Sequence, residues 1–248
     1  MSGRHRGYIE RDWSEYPEFC SYPEFSAGYI PRSEWVDRIE HLNEIKAQPV
    51  HWHKAKCQIK QQARTNYCWA YGTVSGIETA YAMSGVSDIE LNAHAVAYRG
   101  KRGANKGGFG LEACHYIQDA GIPETKVLAE FTRQTKWSDE VATNAQQHKL
   151  YEFEELPRDD AFEAVVSALI GKSPCCATVA FSWWRHLCLA VGVAVRKRSQ
   201  FGLIVANSWG KNWSAGGEVG GYGIIWDEKG KADPFEAIAI RGVKARKE

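Results

Sequence analysis

Gln62-Ala-Arg-Thr-Asn-Tyr-Cys68-Trp-Ala-Tyr-Gly-Thr-Val-Ser-Gly-Ile-Glu-Thr-Ala-Tyr-Ala-Met83 is the stretch whose reading decides the fold. From Cys68 onward, Ala70, Val74, Ile77 and Tyr81 recur on one stripe, which predicts a helix over 68–83. Cys68 then stands at the helix start. Unpaired N–H groups and the macrodipole there favour a thiolate, the nucleophilic form of cysteine. A lone cysteine is more often a small buried apolar residue, so the position needs partners before it means chemistry. Gln62, six residues upstream, is close enough for its amide to point at an oxyanion developing beside Cys68.

Partners lie in the second half of the chain. His186 opens a strand-like run through Val191, directly after Trp183-Trp184-Arg185. Asn207-Ser208-Trp209-Gly210 ends the next run, with Trp213 beyond it. In a hairpin, a histidine at one strand's start faces an asparagine at its partner's end. The amide oxygen can then accept from the imidazole and fix its tautomer. Each residue alone has a plainer reading: a surface Gln, an edge His, a turn Asn.

The rest of the chain sets the frame. A short helix is expected over Leu111–Ala120, and another opens at Asp160 with Glu163 as its capping-box partner and stops at Gly171. Strands are expected at 177–182, 187–195, 201–207, 222–226 and 235–240. Helices first and strands second imply an α+β protein. Residues 1–30 form an aromatic arm in which Tyr-Pro-Glu-Phe occurs at 16–19 and again at 22–25. Pro17 and Pro23 disfavour regular structure there, so the arm is expected to be extended, docked on its own domain or on another surface.

Composition narrows the partners. The 248 residues carry 31 Lys+Arg against 30 Asp+Glu, a net charge of +1. That balance argues against nucleic acid or an anionic membrane as partner. No apolar run reaches the ~18 residues of a membrane helix. Met1–Arg11 does not read as a secretory signal, which predicts an intracellular protein. Seven cysteines, an odd count with no C-x-x-C pair, argue against a disulfide framework. His51 and His53, on one face of an expected strand, with Cys57 and Cys20, are the nearest metal-like cluster; no fourth ligand is evident, and no metal or cofactor is expected. The loop from Arg99 to Gly110 carries Arg99, Lys101, Arg102 and Lys106 but matches no phosphate-binding spacing, so it reads as solvated.

Taken in order, Gln62, Cys68-Trp69-Ala70, His186 with Gly192, and Asn207-Ser208-Trp209-Gly210 with Trp213 resemble the papain family of cysteine peptidases. Gly107-Gly108 resembles the family's cleft-lining pair, and Leu91-Asn92 its lead-in to a third helix. The resemblance spans roughly residues 31–228. It implies a two-lobed fold over 31–248, with a helical lobe at about 57–125, an antiparallel, barrel-like β lobe at about 126–240, and the active site in the cleft between them. It also implies a polypeptide substrate, cleaved at peptide or isopeptide bonds. Cys68 would be the nucleophile, His186 the acid and base, Asn207 its orienting partner and Gln62 the oxyanion donor. Gly107, Gly108 and Trp209 would line the substrate site.

The departures matter as much. Where the family has Cys-Gly-Ser before its nucleophile, this chain has Thr65-Asn66-Tyr67. Asn105 and Arg99 stand where bridge cysteines are common. His186 lies 118 residues after Cys68, short of the family's spacing of about 130–150, whereas Asn207 lies 139 after it. The wall between Pro174 and His186 is therefore trimmed, and specificity does not transfer. No propeptide of family length precedes the domain, although the arm could cover the cleft. These features are also similar in texture to papain-like chains encoded by bacterial viruses, some among virion genes. That supports a second expectation: a papain-fold component of an assembly such as a virus particle, joined through the arm, with its site occluded or unused. Transglutaminase-like acyl transfer ranks below both, because it would usually place Asp where Asn207 stands.

Overall fold

The computed structural model describes residues 7–12, 25 and 27–243. Along them run helices α1 (Trp35–Glu44), α2 (Pro49–Lys56), α3 (Cys68–Met83), α4 (Ala93–Gly100), α5 (Gly110–Ala120) and α6 (Asp139–Gln146). Strand β1 (Leu150–Glu155) and helix α7 (Ala161–Ile170) follow, then β2 (Ala177–Phe181), β3 (His186–Arg196), β4 (Gln200–Ala206), β5 (Tyr222–Trp226) and β6 (Glu236–Val243). Trp13, Cys20 and nearly all of the Tyr-Pro-Glu-Phe repeat lie outside the described residues. Among the described residues no helix is long and apolar enough to cross a membrane.

Strand β3 organises the two cores. Its side chains alternate, as a strand's must. Leu187, Leu189 and Val191 join one apolar cluster with α3, α4 and α5. Cys188 and Ala190 join the other, with α1 and α7. A register shift between Ala190 and Gly192 then turns Val193 to the second cluster. Gln48, fully buried, secures that irregularity: its Oε1 accepts from Val193 N at 2.8 Å. The sheet is antiparallel throughout, in the order β1-β6-β2-β3-β4-β5. β1 and β5 are its edges, so its hydrogen bonding is open rather than closed into a ring.

Helix α3 departs from the one-sided stripe expected of it. Every residue from Cys68 to Ala82 is buried, because the sheet lies on one side and α4 and α5 lie on the other. Enclosure on all sides is what a helix apolar all round requires. Glu78 is carried into this interior and is matched by Lys60, Nζ to Oε1 2.8 Å, with both side chains almost wholly buried. Leu91 N donates to the same carboxylate at 2.7 Å, and Lys60 Nζ donates to Leu91 O.

Three local expectations are corrected. His51 and His53 lie on helix α2, started by Pro49 at its first turn, and not on a strand. His53 Nδ1 meets Tyr222 Oη at 2.7 Å, while His51 turns to Asn43. The capping box of α7 does not form: Asp160 takes a left-handed conformation and makes no side-chain cap, and Glu163 pairs with Arg32. Helices α1, α2 and α6 and strand β1 are additional to the expected elements. β1 (Leu-Tyr-Glu-Phe-Glu-Glu) escaped because it is half charged; of its glutamates only Glu152 is exposed, while Glu154 and Glu155 are buried against Arg241 and Arg11.

Candidate active site

The site assembles where the start of α3 meets the starts and ends of the central strands. Tyr67, at the N-cap of α3, supplies no side-chain cap. The first N–H groups of the helix are thereby left for the sulfur and for whatever approaches it. Cys68 is fully buried. Backbone N–H groups of Leu187, Gly7, Trp69 and Cys68 itself reach its sulfur.

Strand β3 delivers His186 beside this point. His186 Nε2 and Asn207 Oδ1 are 2.8 Å apart in a buried contact. Asn207, just past β4, is held in turn by its backbone N–H donating to Gly221 O at 3.0 Å. The Trp209 ring lies over the His186 ring, centroids 4.4 Å apart, and Trp184 closes from another side at 4.7 Å. Trp213 stacks on Trp184 behind it. The imidazole therefore works inside an indole enclosure, where its hydrogen bond to Asn207 is protected from water.

Gln62 is fixed by both ends of its amide. Oε1 accepts from Ser208 Oγ at 2.6 Å, and Nε2 donates to Thr65 O at 2.8 Å. Its backbone N–H donates to Ser208 O at 2.8 Å, tying the segment before α3 to the segment after β4. Ser208 and Trp184, which touch Gln62 and His186, are residues that the sequence reading passed over. Ser208 stood inside the Asn-Ser-Trp-Gly motif, whereas nothing marked Trp184 out from Trp183.

Where bridge cysteines are missing, polar side chains take over. Asn66 N donates to Asn105 Oδ1 at 2.7 Å, and Asn105 Nδ2 donates to Arg64 O at 3.3 Å. These bonds join the loop before Cys68 to the loop before Gly107-Gly108. All the described cysteines are free thiols. Among the described residues, no group of His, Cys, Asp and Glu is placed to hold a metal ion. The cations of the basic loop are partly committed within the chain: Lys101 to Glu112, and Arg99 to Tyr116.

The cleft beside Cys68 is filled by the chain itself. Tyr8 forms a parallel bridge with Gly108: Gly108 N donates to Gly7 O at 2.9 Å, and Ile9 N donates to Gly108 O at 3.0 Å. A Cβ on Gly108 would meet Trp69 at 2.8 Å, and one on Gly107 would strike Gly7 O, so both glycines are needed for backbone to approach here. With this segment in place, burial pushes the Cys68 thiol up to about 11, and the backbone N–H groups recover only part of that. The expectation of a thiolate at the helix start is thus corrected for the covered form. Desolvation outweighs the helix terminus when water is kept from the sulfur.

Comparison with solved structures identifies the architecture. Xylellain, a cysteine protease from Xylella fastidiosa, superposes with a TM-score of 0.62 at 16% identity, covering 98% of this chain and 99% of that one. A digestive procathepsin L 3 from the larval midgut of Tenebrio molitor gives 0.60 at 21% identity, covering 75% and 67%. The proform of Amb a 11, a ragweed pollen cysteine protease, gives 0.63 at 18% identity, covering 77% and 65%. The chain thus spans about two thirds of the length of these two. No family model matches the sequence. No curated protein matches it either. The fold is papain-like: mixed helix and antiparallel sheet.

Proposed function

We propose that this papain-fold chain is a cysteine peptidase that hydrolyses peptide or isopeptide bonds through Cys68, His186 and Asn207, with Gln62 as oxyanion donor. The observation that carries the proposal is the buried 2.8 Å contact of His186 with Asn207, on a strand whose next residue, Leu187, hydrogen-bonds the Cys68 sulfur. His186 takes the thiol proton, and the sulfur attacks the substrate carbonyl. The tetrahedral oxyanion accepts from the Gln62 amide and from the Cys68 N–H, each donor contributing roughly 3 kcal/mol in comparable sites. His186 then protonates the leaving amine. Water, deprotonated by His186, hydrolyses the thioester and returns the thiol. Asn207 keeps the imidazole in the tautomer whose Nδ1 can exchange that proton.

A second reading is favoured by one observation: Gly7 lies against the Cys68 sulfur. On that reading the chain is a papain-fold component of an assembly such as a virus particle, its site covered and unused. Intact-mass labelling with an epoxysuccinyl peptide near pH 6, on wild type and His186→Ala, separates the two. Labelling at Cys68 that needs His186 supports the peptidase. Equal slow labelling of both proteins supports the assembly component. A size-exclusion profile that changes when the arm's contacts are broken would add weight to the latter.

A further inference from the structure

Segment Gly7–Asp12 meets the cleft with more than its backbone. Its side chains divide: Ile9, Glu10 and Asp12 are exposed, whereas Tyr8 and Arg11 are buried at 2% and 3% exposure. Tyr8 sets its ring edge-on to Phe235, centroids 6.5 Å apart, and its hydroxyl is buried with no hydrogen-bond partner among the described residues. Arg11 forms an ion pair with Glu155 in which neither side chain sees appreciable solvent.

The acidic groups around Arg11 come from separate elements. Glu155 ends β1 opposite Ile238 of β6, and Glu236 opens β6 two residues before it, so both project from the same face of the sheet. Glu236 is buried and accepts from Gly110 N at 3.0 Å and Leu111 N at 3.3 Å, capping α5. It also acts electrostatically on Arg11 and on Tyr8. His115 of α5 feels both Arg11 and Glu155. Two buried carboxyl groups close enough to act on one another are costly without a nearby cation, and Arg11 pairs with Glu155 and acts favourably on Glu236. Burial, relieved in part by the α5 N–H groups and Arg11, pushes the Glu236 carboxyl up to about 7 even with that cation present.

Covering the thiol uses the backbone pairing at Gly108 and a glycine beside the sulfur, and neither involves the Arg11 side chain. A cationic side chain inserted into a buried acidic pocket is selective. Strand addition commonly divides its labour so: main-chain bonds hold the peptide, and side-chain pockets choose it. We infer that the pocket formed by Glu155 and Glu236 is a specificity pocket of the cleft, and that the chain's substrates are polypeptides presenting an arginine or lysine where Arg11 now sits. The inference rests on the peptidase reading of the same site.

The test uses the full chain carrying Tyr8→Ala and Arg11→Ala, so that the tethered segment is loosened, with a melting curve to show that it is folded. Fluorescein-labelled Gly-Tyr-Ile-Glu-Arg-Asp, the sequence of residues 7–12, is titrated in by anisotropy. It is compared with versions carrying Lys, Ala or Glu at the fifth position. Arg and Lys peptides are expected to bind about tenfold or more tighter than Ala, with Glu weaker still. Adding Glu155→Gln to the chain should flatten that ranking. Equal binding of all four peptides, no binding of any, or an unchanged ranking in the Glu155→Gln chain overturns the inference. Cys68 alkylation, read in parallel by mass on the same chain with and without His186→Ala, reports the peptidase reading separately. A reactive His186-dependent thiol with no charge preference sinks only the pocket. Charge-selective binding over an inert thiol sinks only the peptidase.

Discussion

The backbone amide of Gly7 hydrogen-bonds the sulfur of Cys68, so the chain's own segment lies over its proposed nucleophile. Gly7 can sit there only because it has no side chain: a Cβ would run into the Asn66 carbonyl. The contact links two properties. The segment lies over the sulfur, and burial holds the thiol up at about 11 although the Gly7 N–H offsets part of that rise.

Gly7→Ala should therefore expel the segment and expose Cys68. Iodoacetamide labelling at pH 7, followed by intact mass, should speed up at least about tenfold, because the thiolate fraction and access rise together. The melting temperature should fall as well, since Tyr8 leaves the first apolar cluster and Arg11 leaves Glu155. An unchanged labelling rate would mean that the segment does not control the thiol.

Cys68→Ala and His186→Ala should each abolish peptide hydrolysis and leave the fold intact by circular dichroism. Gln62→Ala should lower kcat by about a hundredfold or more with a smaller change in KM, as expected for an oxyanion donor. Ser208→Ala, which loosens Gln62 without touching substrate, should show the same kcat-weighted pattern at smaller size. Hydrolysis at wild-type rates by Cys68→Ala or His186→Ala would rule out the assignment.

Lys60 and Glu78 form an ion pair deep beside α3, and removing one partner strands the other. Lys60→Met should cost about 3–5 kcal/mol in urea unfolding. Replacing both, with Lys60→Met and Glu78→Gln, should recover part of that loss. A loss under about 1 kcal/mol for the single variant would show that the pair is solvated.

His53 should make stability fall in acid. Burial, with Lys60 nearby, lowers its pKa from the ordinary 6.5 to about 3, so the folded protein holds the neutral ring. The unfolded chain binds the extra proton between these values. The stabilisation is complete above about 6.5 and is lost as pH falls toward 3. Between pH 7 and 5 the loss from this group is about 2 kcal/mol. Urea titrations at both values, on wild type and His53→Gln, should show that much less pH dependence in the variant. Identical slopes would mean that the ring is protonated in the fold.

Much of the frame was legible along the chain. The helix at Cys68 starts where its apolar residues begin to recur, and strands β2 to β6 lie within a residue or a few of the expected runs, because β-branched and apolar residues crowd between turn residues. Gln62, Cys68, His186, Asn207, Trp209 and Gly108 stood out through their resemblance to papain-family motifs, and the structure places His186 against Asn207 and Trp209, and the strand of His186 against Cys68. Less was legible at β1, whose Glu152, Glu154 and Glu155 hide a strand, and at α2, where His51 and His53 two apart imitate alternation.

Local pattern, then, determined the helix at Cys68 and strands β2 to β6, since periodicity acts over a few neighbouring positions, and the candidate triad came from the resemblance of separated motifs to the papain family. Tertiary structure alone decided the state of the site. That Gly7 meets Cys68, that Arg11 meets Glu155, and that the buried thiol rises to about 11 depend on groups far apart in the chain being brought together out of water. Desolvation is a property of the assembled surroundings, and no residue carries it alone.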